Sequence, residues 1–139
     1  AMGESPSVNA HCSARGLARV AAVMANGGRL QGEQVLGNDG WTALHAHPRM
    51  ESMGLVSNFT QGGVAQFGEI SDSPSRMEKA ANLGREGFVG WMGMGGSIFQ
   101  WHPQRKIGFA FVPTRLHVLD IVNERGKKYQ QEILNCTGG

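Results

Sequence analysis

The sequence predicts an α+β fold, an antiparallel sheet of three or more strands with flanking helices. Three observations carry this reading. Phe88 to Met92, Ser97 to Trp101 and Ile107 to Val112 are apolar runs of strand length, close enough together to pair as an antiparallel meander. The link between the last two, His102 to Lys106, is polar and holds Pro103, as a hairpin turn requires. Leu17, Val20, Ala21 and Met24 fall at i, i+3, i+4 and i+7, one apolar stripe of a helix.

Taken in order, residues 3–12 are polar, contain Pro6 and read as extended. Ser13 is placed as an N-cap for the first helix, and Asn26-Gly27-Gly28 stops it, because glycine tolerates the left-handed conformation at a helix end. Residues 29–37 read as a turn into a short helix around Asp39–His47, ended by Pro48. Phe59 to Phe67 is a weaker strand candidate, broken at Gly62–Gly63. Residues 68–87, with Ser71, Ser73, Pro74 and Ser75, read as an exposed loop. Val118 to Leu134 closes the chain as a helix with Val118, Val122, Tyr129 and Ile133 on one face. Gly126 interrupts it at a cost of about 1 kcal/mol against alanine, and a small residue there lets the helix lie close on the sheet. There is no internal repeat, and residues 1–139 read as a single domain or domain segment.

Composition narrows the function classes. An apolar content of 40% in 139 residues is enough for a real core. A net charge of +2, with 13 Lys and Arg scattered and only Lys127–Lys128 adjacent, argues against nucleic acid. No apolar run is long enough for a membrane span, and the start shows no signal-peptide pattern. Cys12 and Cys136 read as two reduced thiols. His45-Ala46-His47 has dyad spacing, but i and i+2 do not share a helix face, so no metal site is expected. His11-Cys12, just before a helix start, lacks an evident base. His102 and His117 read as surface residues. Glycine stands out: 21 of 139 is about twice the usual roughly 7%, and its pairing points to turns and tight packing.

The densest glycine cluster, Trp91-Met92-Gly93-Met94-Gly95-Gly96-Ser97, opens the second strand of the meander. Glycines at a strand end let backbone N–H groups approach a ligand closely. They also permit a simple bulge, and Trp91 and Met92 serve equally as packing residues or as a site wall.

Three segments sharpen the reading. Glu4-Ser5-Pro6-Ser7-Val8-Asn9 followed by Ser13-Ala14-Arg15-Gly16-Leu17-Ala18-Arg19 is similar to the Pro-Ser-x-Asn and Ala-Arg-x-Leu-Ala-Arg stretch of esterase-like and class C-like members of the serine β-lactamase and penicillin-binding protein superfamily. Asn26-Gly27-Gly28-Arg29-Leu30-Gln31-Gly32-Glu33-Gln34-Val35-Leu36 resembles their Asn-Gly-Gly-x-Leu-x-Gly-x-x-Leu-Leu segment. Gly95-Gly96-Ser97-Ile98-Phe99, the turn, and Gly108-Phe109-Ala110-Phe111-Val112 resemble their sheet hairpin. Residues 40–85 are the least family-like.

The resemblance implies the late, C-terminal part of a β-lactamase-like fold and the acyl-transfer chemistry of a serine hydrolase on an ester or amide, with no cofactor. It places the substrate-binding strand at Trp91, Met92 and Gly93, where some esterase-type members also carry tryptophan in place of the cation. It places the backbone N–H of Met94 in the oxyanion hole. Lys106-Ile107-Gly108 has the letters of the family's Lys-x-Gly but follows the turn, and reads as a decoy. The nucleophile motif Ser-x-x-Lys is absent, since Ser75 has Glu78 and Ser97 has Gln100 at that offset. Tyr-x-Asn is absent too, since Tyr129 precedes Gln130-Gln131. No catalytic residue is therefore expected in this chain. The expectation is a portion of a larger hydrolase, completed by an N-terminal part of the same fold. The alternative is a non-catalytic binding or scaffold protein derived from that fold, holding a small molecule, a peptide or another subunit. A truncated sheet would leave apolar surface uncovered, so the isolated chain is expected to self-associate or be marginally stable.

Overall fold

Ser13 opens α1 (Ala14–Ala25) by accepting a hydrogen bond from the Gly16 N–H at 3.1 Å, and Asn26 and Gly27 close it, Gly27 at φ +68°. These features come from a computed structural model that describes residues 10–47, 49–53 and 56–138. The Ser5–Asn9 motif and Pro48 lie outside the described residues. The buried stripe of α1 is set by alanines rather than by its larger residues: Ala21 and Ala25 are buried, whereas Val20 is 52% exposed. The reason is a close backbone approach. A Cβ on Gly108 would stand 2.2 Å from the Ala22 nitrogen, so the helix rests directly on the strand.

Residues 29–37, expected to be a plain turn, form a small hairpin of β1 (Arg29–Leu30) and β2 (Glu33–Gln34) before α2 (Asn38–His45). The main sheet then runs as an uninterrupted antiparallel meander in chain order. Its strands are β3 (Arg49–Met53), β4 (Val56–Phe59), β5 (Ala65–Gln66), β6 (Val89–Met92), β7 (Ile98–His102) and β8 (Ile107–Phe111). The three strands read from the sequence are its last three. The break at Gly62–Gly63 is the turn joining β4 to β5, with the Gly63 N–H bonded to the Thr60 carbonyl at 2.9 Å.

Two expectations are corrected. Residues 68–87 are not all loop, because α3 (Arg76–Asn82) lies within them, capped by Ser75 Oγ accepting from the Glu78 N–H at 3.0 Å. Ser-x-x-Glu is a helix-start signature, and the neighbouring serines and proline masked it. The terminal helix α4 (Glu124–Thr137) begins six residues later than expected, because the Asp120 carboxylate accepts from the Glu124 N–H at 2.7 Å and Asn123 adopts φ +55°. Val118 and Leu119 precede it as exposed residues.

Alternation along the strands builds two cores. On one face Phe67, Phe88, Ile98 and Phe109 pack with Ile133 and Leu134 of α4. Gly126 makes that approach possible, since a Cβ there would meet Ile98 Cδ1 at 2.5 Å. On the other face Val64, Val89 and Trp101 pack with Ala21 and Ala25 of α1. The two helices thus sandwich the meander and fix β6 in its interior.

Candidate functional site

The site is built on one stretch of β6 and the glycine loop after it. On the β7 side, pairing continues through Met92↔Ile98. On the β5 side it stops at Ala65↔Gly90. Trp91 and Met92 are therefore paired on one side only. Gly93 gives its N–H to the Ser97 carbonyl at 2.8 Å, so by alternation the Met92 peptide groups turn towards the unpaired edge. Beyond it, no acceptor for the Met94 N–H stands among the described residues, and Met94 is 80% exposed. The structure thus brings Trp91, Met92, Gly93 and Met94 together as a strand edge followed by a free donor.

Trp91 is both packing residue and wall. Its ring lies parallel to Phe99 at 5.8 Å and edge-on to Trp101 at 5.7 Å, while 41% of the residue stays exposed. Its indole N–H donates to the Gly63 carbonyl at 3.1 Å, which braces the β4–β5 turn beside the open edge. The aromatic cluster continues inward. Trp101 Nε1 donates to His45 Nε2 at 2.9 Å, and His45 Nδ1 lies 2.7 Å from the Trp41 carbonyl. That carbonyl can only accept, so Nδ1 carries the proton and Nε2 is the acceptor. His45 is thus a satisfied core histidine. Among the described residues no group of three or more His, Cys, Asp or Glu converges as metal ligands would.

The glycine loop is held from behind by residues that sequence reasoning missed. Asn123 Nδ2 donates to the carbonyls of Gly93 (3.0 Å) and Ser97 (2.8 Å). Arg125 Nη2 donates to the Gly95 carbonyl at 2.8 Å, and its Nε pairs with Asp120 at 2.9 Å. Burial pushes the Asp120 carboxyl upward in pKa, but the hydrogen bond from Arg125 and the backbone N–H groups of Glu124 and Arg125 outweigh it, leaving it below the usual value. A side chain at Gly96 would displace the Arg125 guanidinium, its Cβ lying 2.5 Å from Nη2, and would have to adopt φ +112°. The run Asp120-x-x-Asn123-Glu124-Arg125 carried a helix-start signal, but a helix assigned from Val118 concealed it.

Deeper still, Arg85 is fully buried. It donates to Gln130 Oε1 (3.0 Å), to the Val122 carbonyl (2.9 Å) and to the Ala81 carbonyl. Burial lowers its pKa to about 10, partly offset by Glu124 and Asp120. His102, expected at the surface, is only 6% exposed and sits edge-on against Phe88 at 5.4 Å. Burial and then Arg105 lower its pKa, with backbone hydrogen bonds opposing. The Lys106-Ile107-Gly108 run is remote from the loop: Lys106 is a left-handed turn residue at φ +55° and Gly108 lies under α1. Cys12 and Cys136 are free and exposed, as is His117.

Exposed apolar residues gather next to the loop. Leu116 packs against Gly95, where a Cβ would meet it at 3.1 Å, and Leu116, Val118, Leu119 and Ile121 are all exposed. No described helix is long and apolar enough to cross a membrane. No protein-family model, curated protein or solved structure matches this chain.

Proposed function

We propose that this chain is the late part of a β-lactamase-related serine hydrolase domain, one that transfers or hydrolyses the acyl group of an ester or amide. It supplies the substrate-side strand Trp91–Met94, and the nucleophile comes from residues outside this sequence. One observation carries the reading. The Met94 N–H has no acceptor among the described residues and follows a strand edge paired on one side only, which is what an oxyanion-hole donor needs at the position the motif resemblance assigns it. The Asn123 and Arg125 contacts support it, because a donor stabilises a developing charge only if it is fixed beforehand. Trp91 replaces the family's cation, so a substrate carboxylate would find no charge at that position.

The test is a fluorophosphonate probe on the natural polypeptide containing this sequence, read by mass spectrometry. The expected result is one labelled serine outside residues 1–139. Met94→Pro removes the donor without disturbing a backbone bond, and should slow labelling by roughly 100- to 1000-fold. A labelled serine within residues 1–139 would overturn the proposal. Failure of the natural polypeptide to label would overturn it too, in favour of a non-catalytic binding or scaffold protein using the same edge.

A further inference from the structure

We infer that the groove between the C-terminal end of α1, the β1–β2 hairpin and the β7–β8 turn binds a small amphipathic anion, an alkyl or aryl body ending in one carboxylate. This site is separate from Trp91–Met94 and does not rest on the function proposed for it. The groove is open to solvent along one side and offers about 570 Å³, room for a small molecule. Ala25, Leu30, Trp41 and Pro103 supply apolar lining, Arg29 and Lys106 supply two cations from different elements, and among the described residues no carboxylate lines it. Glu33, opposite Leu30 across the hairpin, is not among the lining residues. Neither Arg29 nor Lys106 has a hydrogen bond or ion pair with the described side chains. Two unpaired cations around an apolar floor complement a ligand of the opposite arrangement, an apolar body with an anionic head.

The groove is also formed in advance. Trp41 Nε1 donates to the Met24 carbonyl at 2.8 Å, and the ring stacks on His45 at 4.0 Å, so its orientation is set without a ligand. Gln31 and Lys106, both in the lining, hold left-handed conformations at φ +51° and +55°. Only His47 and Asn123 share that region among the described non-glycine residues. The two lining residues are turn positions of their hairpins, Gln31 in the two-residue loop of β1–β2 and Lys106 at the end of the β7–β8 turn, so the hairpin backbones shape the rim of the groove without a ligand.

The test titrates the chain with octanoate and, separately, with its neutral isostere octanamide, following backbone and indole N–H shifts by NMR. Octanoate should give saturable shifts at Gly27, Gly32, Lys106 and the Trp41 indole. Octanamide should bind more weakly, and added salt should weaken only the octanoate complex. Arg29→Gln and Lys106→Gln should each weaken octanoate roughly two- to fivefold, whereas Arg19→Gln on the exposed side of α1 should not. Octanamide binding as tightly as octanoate, shifts centred on Leu116–Ile121, or no saturable shift at millimolar octanoate would each overturn the inference. The salt dependence is measured on the unaltered chain, so it decides the matter even if a variant folds poorly.

Discussion

Replacing Asn123 with alanine tests the claim that the glycine loop is held from behind. The side chain is fully buried and donates two hydrogen bonds, to the Gly93 and Ser97 carbonyls. Each is worth about 1 kcal/mol net. Both carbonyls keep a backbone partner, from the Gly96 and Gly93 N–H groups respectively, so neither is orphaned and no unsatisfied-group penalty is added. Asn123 also sits at φ +55°, which alanine adopts at a cost of about 1–2 kcal/mol. Against this, Asn123 Oδ1 is buried without a hydrogen-bond partner among the described residues, and its removal returns about 1 kcal/mol. The sum is about 2–3 kcal/mol, a fall in Tm of about 10 °C for a chain of this size. Asn123→Gly loses the same hydrogen bonds but adopts the backbone angle freely, and should recover about 0.5–1 kcal/mol net of its unfolded-state entropy. The assay is urea unfolding followed by circular dichroism, with amide hydrogen exchange at Gly93 and Gly96. Both variants should speed exchange there. A loss below about 1 kcal/mol with unchanged exchange at those two amides would refute the reasoning.

Three other outcomes are expected. Gly108→Val should separate α1 from β8 and destabilise by at least about 3 kcal/mol, because the clash is with helix backbone that cannot rotate away; a thermal melt near that of the unaltered chain would show that α1 does not rest there in solution. His45→Phe should cost about 1–3 kcal/mol by leaving the buried Trp101 N–H without its acceptor, measured by urea midpoint. The pH profile follows from two lowered pKa values. The unfolded state then binds the proton more readily, so each contribution is full above the unfolded pKa and is lost as pH falls through the folded one. For His102 the loss begins as pH drops below about 6.5, and for Asp120 below about 4. His102→Gln should flatten the first part of a urea-midpoint profile, and an unaltered slope would remove His102 as its source.

The last three strands were legible because each is a short apolar run bounded by turn residues, a signal that does not depend on tertiary context. The α1 boundaries were legible from Ser13 and Asn26-Gly27-Gly28 for the same reason. The buried face of α1 was legible in part, since Ala21 is buried and Met24 packs beside it, but Val20 is exposed because the strand at Gly108 lies against the backbone of Ala21 and Ala22, a constraint nearly ninety positions away in the chain. His102 misled because a polar residue beside Pro103 looks like turn surface, whereas the strand carries it one pleat further inward. At the candidate site, glycine spacing and motif resemblance are what single out Trp91–Met94. Of its supports, Asn123 and Arg125 were concealed because they act on carbonyls twenty-six to thirty residues away, which no local pattern encodes, while Asp120 joins them through Arg125.

The polar residues beneath the loop have an energetic peculiarity. Arg85 is a fully buried cation satisfied mainly by carbonyl oxygens, and Gln100 Nε2 and Asn123 Oδ1 are buried with no hydrogen-bond partner among the described residues. Apolar residues of similar volume would often stabilise such a region as well or better. What polar residues add is direction. Arg85 ties the end of α3 to Val122 and, through Gln130, to Gln100 on β7. Asn123, the next residue after Val122, then holds both ends of the glycine loop. Hydrogen bonds give the loop a fixed direction, which hydrophobic contact, being non-directional, does not. The Gly93–Ser97 turn is thus anchored through Asn123, and Arg85 ties the neighbouring Val122 to the end of α3, by contacts that trade the stability of apolar packing for orientation.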